Sequence, residues 1–197
     1  MTSAAARRDD VPTSMHERVV AAAAELTLEV GWAGVTMGKL AERVGVSRQT
    51  VYNEVGSKPQ LAEEMVLAEL FKFLAVVDAA FDRQPTDLVA AIREAAYGVL
   101  VLAGSNALLQ AVVSQSYGAE TELLPLLTTR NDALVEAASQ AVHARIGAYP
   151  IALDERRIEA AVDMVVRLVL SHVIHPVGTP DDTADDIAWI TGCTLRS

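Results

Sequence analysis

The chain has 197 residues and a formal net charge of -10; it is 51% hydrophobic but only 5% aromatic, so its core is aliphatic. Seven prolines, eleven glycines and a single cysteine exclude collagen-like, disordered and disulfide-scaffold classes, and 33 alanines favour helix over an all-β sandwich. The charge is uneven: residues 1–60 hold seven basic and seven acidic side chains, residues 61–197 nine and nineteen, so a polyanion is tolerated only by the first part.

Residues 1–13 read as a disordered tail. They lack the apolar core of a signal peptide, and Arg7 and Arg8 are offset by Asp9 and Asp10. From Ser14, Val19, Ala23, Leu26 and Val30 recur at helical spacing, and Gly31 supplies a stop. Thr36 is an N-cap for a short helix, Met37 to Val44, ended by Gly45. Ser47 caps the next segment, SRQTVYNEV, and Gly56-Ser57 breaks it. Ser57 then caps a long helix from Lys58 to about Asp82, with Pro59 in its first turn.

Beyond Gln84-Pro85 a helix is expected from Thr86 to Gly104 and another from Asn106 to Tyr117-Gly118. Leu123 to Ile146 reads as one helix or two, because Pro125 sits near its start. Asp154 caps a strong helix through His175, and Thr179-Pro180-Asp181-Asp182 opens a last helix that reaches about Leu195. Residues Ala95 to Ala119 carry no charge over 25 positions, enough for a bilayer. Gly104-Ser105-Asn106 interrupts them, so two buried helices joined by a tight turn are expected, with no membrane partner. One cysteine, Cys193, and the plain N-terminus suit a reducing, cytoplasmic setting.

The segment Met37 to Val55 has helix-turn-helix spacing. Leu40, Ala41 and Val44 form the inner face of its first helix, Ala41 allows a close crossing and Gly45 a tight turn. Val46 and Val51 plug the second helix into the core. Arg48, Gln49, Thr50, Tyr52, Asn53 and Glu54 are left outward, with donors and acceptors suited to base edges and phosphates. An ordinary helical hairpin shows similar spacing.

The run TMGKLAERVGVSRQTVYNEVGSKPQL resembles the DNA-binding domain of the tetracycline-repressor (TetR) family of bacterial regulators. Thr36, Leu40-Ala41, Gly45-Val46-Ser47, Thr50-Val51-Tyr52, Ser57-Lys58 and Leu61 carry the likeness, over roughly residues 14–65. It implies a helix-turn-helix domain over 14–57, joined by a long helix to a helical ligand-binding and dimerisation domain over 58–197. It also implies a homodimer through the last two helices. Tyr52 and Lys58 would touch phosphate and the residues after Ser47 would read the major groove, making Thr36, Ser47, Arg48, Gln49, Thr50, Tyr52, Asn53 and Lys58 the DNA-binding set. Where the family often has a second aromatic, a His and a Phe, this chain has Asn53, Glu54 and Val55. Glu54 either accepts from a cytosine amino group or turns aside to a basic neighbour.

No catalytic constellation stands against this reading. His172 and His175 have no third ligand at matching spacing, His16-Glu17 is not followed by a second His, and no P-loop, Rossmann or G-x-S-x-G motif is present. No metal or cofactor is expected, and Cys193 is either a redox thiol or inert packing. Arg93, Tyr97, Asn106, Gln110, Ser114 and Arg167 are candidate effector contacts, each equally a cap or an inter-helix bond. The row Glu159, Asp163, Arg167, Ser171 lines a pocket, an interface or a solvated face. The expected function is a repressor that binds a palindromic double-stranded operator and is released by a small apolar effector (lipid-like, alkane, terpenoid or drug). A helical protein-binding adaptor, or an all-helical enzyme on an apolar substrate, are the alternatives.

Overall fold

The computed structural model describes residues 14–114, 123–128 and 131–196, and every element among them is an α-helix. The chain divides into two compact units, Met1–Met65 and Val66–Ser197. The division falls within the long helix α4 (Lys58–Arg83) rather than at its start, because Leu61, Ala62 and Met65 are buried in the first unit.

In the first unit, α1 (Met15–Gly34) begins with a reciprocal capping box between Ser14 and Glu17. Its helical geometry breaks at Gly31, where φ is 71°, as the sequence suggests; one further turn then carries Trp32 into the core. Helices α2 (Met37–Val44) and α3 (Arg48–Val55) close over α1, burying Leu40, Ala41, Val51 and Val55 beside Val19, Ala23 and Leu26. Val46, expected as a core plug, is only half-buried, because it sits in the turn itself rather than on either packed helix face.

In the second unit, α5 (Leu88–Ser105) lies against α10 (Pro180–Leu195) and α9 (Glu155–Ile174). Alanines 91, 95 and 184 and Ile187 meet Phe81, Ile92, Val142, Ile146 and Val162 in the main core. Against α4, a Cβ on Gly98 would stand 2.5 Å from a methyl of Val76, so this approach of α4 and α5 has room only for glycine. Arg93 on α5 pairs with Asp181 (2.8 Å) and Asp185 (2.6 Å) on α10. The Tyr149 hydroxyl, buried after α8 (Asp132–Ile146), donates to the Gln84 carbonyl (2.7 Å), and burial pushes its pKa up.

Several boundaries differ from the sequence reading. Helix α5 starts at Leu88, not Thr86, because the Asp87 carboxylate takes the Ala90 N–H and so sets the cap one residue later. The stretch from Leu123 to Ile146 is two helices, α7 (Leu123–Leu127) and α8. The tight turn expected after Gly104 is present: α5 ends at Ser105 and α6 (Ala107–Ser114) starts under an Asn106 cap. The end expected at Tyr117-Gly118, and the tail with Arg7 and Arg8, lie outside the described residues. One described helix, α5, is long and apolar enough to cross a membrane, yet its face of Leu88, Ala91, Ile92, Ala95, Val99 and Ala103 is buried within the second unit.

Candidate nucleic-acid interface

The interface is built by three local hydrogen-bond devices. The Thr36 hydroxyl accepts the Lys39 N–H (3.2 Å) and starts α2. Gly45 ends α2 in the left-handed region (φ 78°), with the N–H groups of both Gly45 and Val46 returning to the Ala41 carbonyl at 2.9 Å. The Ser47 hydroxyl accepts the Thr50 N–H (3.0 Å) and starts α3. A Cβ at Gly45 meets open space, so Gly45→Ala costs only the left-handed backbone strain. A loss of about 1 kcal/mol is expected, read as a lowered midpoint in denaturant, with Gly45→Asn milder.

With Val51 and Val55 anchored inward, α3 turns Arg48, Gln49, Tyr52 and Asn53 to solvent; Tyr52 is 44% exposed despite its ring. Gln49 donates to the Asn53 amide oxygen across one turn (2.9 Å), so the two amides form one polar edge. Thr50 is half-buried, its hydroxyl 2.9 Å from that of Ser47. Lys58 donates to the Trp32 carbonyl (2.9 Å) and lies 4.9 Å from the Trp32 ring centroid, a cation–π contact. An ammonium has three donors, so this leaves Lys58 able to meet a phosphate. Glu54 is half-buried and its backbone carbonyl is taken by His16.

The electrostatics sharpen this face. Arg43, one of the cations counted in the sequence, is held by Glu29 (2.6 Å) and Glu25 (3.2 Å), and its guanidinium draws the Glu29 carboxyl below the usual carboxylate range. Lys39 is turned to the Gly34 carbonyl (2.9 Å). Arg18, which the sequence reading passed over, donates to the Val44 carbonyl (3.1 Å) and so stabilises the C-terminal end of α2. Its signal was only a basic residue in the first turns of α1, and nothing local pointed to Val44.

Two family models match the chain: bacterial regulatory proteins of the tetR family over residues 19–65, and the bacterial tetracycline repressor C-terminal domain over residues 87–192. The chain belongs to the TetR family. It is a DNA-binding transcriptional regulator rather than an enzyme. Relatives of this TetR protein include the HTH-type transcriptional regulator AlkX of Mycobacterium tuberculosis, 27% identical over 88% of this chain and 82% of that one. A crystal structure of a TetR family repressor AlkX from Dietzia sp., implicated in biodegradation of n-alkanes, superposes with a TM-score of 0.75 at 26% identity, covering 94% and 97% of the two chains. The R. erythropolis transcriptional repressor QsdR shares the fold (TM-score 0.60, 16% identity, 92% and 94% covered).

In the TetR C-terminal domain, a cavity of about 100 Å³ lies between the end of α5, Gln110 of α6, the end of α9 and the start of α10. Leu100, Ala103 and Val173 give it apolar walls; His172, Thr179 and Thr183, which the sequence reading did not nominate, add polar groups. Of the five candidate effector contacts whose side chains are described, Gln110 alone lines it. Asn106 caps α6 and donates to Glu69 (2.8 Å), Arg167 pairs with Asp163 one turn away (2.9 Å), Arg93 is engaged by α10, and Tyr97 is 41% exposed. The Ser114 side chain lies outside the described residues. Among the described residues no cluster of three metal-ligating side chains occurs, and the His172 ring donates to the Leu168 carbonyl (3.0 Å). Cys193 is exposed on α10.

Proposed function

We propose that this regulator is a repressor that places α3 in the major groove of each half of a palindromic operator, as a homodimer, and leaves the DNA when a small apolar effector binds the C-terminal domain. The observation that carries the reading is the outward edge of α3, where Arg48, Gln49, Tyr52 and Asn53 are exposed on a helix whose other face is locked into the core. Thr36, Ser47 and Thr50 add hydroxyls at the helix starts, and Lys58 and Tyr52 reach phosphate. Two-fold symmetry then requires half-sites about one helical turn apart or slightly more.

The proposed dimer uses α9 and α10. Met164 (71% exposed), Trp189 (68%) and Ile190 (43%) are large apolar side chains that a lone protomer leaves in water. The effector class is supported by the uncharged run from Ala95 through α6, by the apolar cavity walls, and by the n-alkane context of the Dietzia repressor. At about 100 Å³ the cavity is smaller than the roughly 150 Å³ that accommodates benzene in an engineered core. A longer chain therefore needs the walls to move. That supplies the mechanism: the effector selects a widened conformation whose reading heads no longer match the operator, with α4 belonging to both units and carrying the change. A coupling of about 1–3 kcal/mol weakens DNA binding roughly 5–150-fold. The protein acts in the cytoplasm, where its operator lies.

The test is selection of genomic DNA fragments by the purified, folded protein at fixed moderate salt. A single enriched palindrome supports the regulator and points to the genes beside it. No enrichment above background sinks the operator reading and moves the adaptor forward.

A further inference from the structure

The last turn of α3 is tied to the rest of its unit by a residue that no part of the reading edge explains. His16, in the first turn of α1, has its Nδ1 2.9 Å from the Glu54 carbonyl oxygen, 38 residues away. A carbonyl only accepts, so Nδ1 carries the hydrogen. On the other side of the ring, Nε2 stands 3.5 Å from Oε2 of Glu64 on α4. That oxygen is shut off from solvent and has no hydrogen-bond partner among the described residues. A lone pair on Nε2 facing a buried carboxylate oxygen is repulsive, whereas a single proton between them makes the contact attractive. Burial raises the Glu64 carboxyl above its ordinary value, with the His16 charge opposing, which is what a carboxylate short of donors does.

The other charged groups on the packed elements are engaged or belong elsewhere. Glu17 on α1 takes the Ser14 N–H (2.9 Å), and Arg18 donates to the Val44 carbonyl (3.1 Å). Glu54 on α3 presents its backbone to the ring, and Glu63 on α4 is exposed and has its own interaction. Helix α3 is only eight residues long, and its C-terminal carbonyls have few partners of their own.

We propose that His16 is a positioning residue for the reading helix, holding its C-terminal end through Nδ1 while the Nε2 contact with the buried Glu64 oxygen steadies the imidazole. His16 touches no DNA in this account; it fixes the angle at which Arg48, Gln49, Tyr52 and Asn53 are offered. The proposal rests on the DNA-reading role of α3, so its test has one arm without DNA.

In that arm, amide hydrogen exchange of the full-length protein is followed at neutral pH. His16→Ala should speed exchange at Val55 and Gly56 about tenfold while leaving Leu40 and Ala41 in α2 unchanged. His16→Gln, whose amide still donates to Glu54, should recover most of that protection. Equal exchange in wild type and His16→Ala overturns the proposal, whatever happens with DNA.

The second arm measures affinity for the most enriched genomic fragment at neutral pH and fixed salt. His16→Ala should weaken it several-fold, His16→Gln should recover most of that loss, and Glu64→Ala, which leaves Nε2 without its neighbour, should fall between the two. Wild-type affinity in His16→Ala overturns the positioning role. Failure of every fragment to bind wild type counts against the operator reading, and the exchange arm then decides on His16 alone.

Discussion

Replacing Trp189 by Glu is expected to leave each protomer folded and to turn the proposed dimer into monomers. The ring is 68% exposed on α10 in a single chain, so the fold gains little from it. A tryptophan offers about 200 Å² of surface; covering two-thirds of it at about 25 cal/mol per Å² contributes about 3 kcal/mol per protomer. Both copies lose it, which lowers the dimer association constant about ten-thousandfold before the cost of burying a carboxylate is added. Sedimentation at micromolar concentration reads the change directly, and circular dichroism checks the fold. Operator affinity should fall with it, because a monomer meets one half-site only. A Trp189→Glu protein that stays dimeric would place the interface elsewhere on the second unit.

The second large effect is expected at α3. Arg48 is exposed and makes no ion pair among the described residues, so Arg48→Ala should not disturb the unit. A guanidinium on a guanine edge or a phosphate is worth about 1–3 kcal/mol, and a homodimer loses it twice. Operator affinity should therefore drop between roughly 30-fold and ten-thousandfold. Tyr52→Phe keeps the ring and removes only a hydroxyl; a charged hydrogen bond of about 1.5 kcal/mol in each half-site gives roughly a hundredfold. Anisotropy titrations at fixed salt, repeated at a second salt concentration, separate the two roles: loss of a phosphate contact shallows the salt slope, loss of a base contact relaxes the motif. An Arg48→Ala protein with wild-type affinity would remove Arg48 from the reading edge and leave Gln49, Tyr52 and Asn53 to carry it.

The legible parts of the molecule are those whose cause is local. The Thr36, Ser47, Asp154 and Thr179 caps each act on an N–H three residues on, so a short window of sequence contains both donor and acceptor. Gly31 and Gly45 have positive φ, which glycine tolerates best, and both stops were readable for that reason. The shift of α5 from Thr86 to Asp87 is the same chemistry with two competing caps one residue apart, and only hydrogen-bond geometry chooses between them. Lys58 is expected at phosphate from the family resemblance, but its cation–π seat on Trp32 depends on a partner 26 residues away and leaves no mark in its own neighbourhood.

The cavity lining was least legible. Arg93 stands one turn before Tyr97 on an apolar helix stretch, while its ion-pair partners are aspartates 88 and 92 residues further along. His172, Thr179 and Thr183 reach the cavity through the turn between α9 and α10, which no periodicity announces. From the sequence alone came the helical class, most helix starts and stops, and the helix-turn-helix motif, because capping, φ preference and apolar spacing act over a few residues. Which side chains line the cavity, where the compact units divide inside α4, and that His16 holds the end of α3 were decided by the tertiary structure alone, because each depends on groups brought together from distant parts of the chain.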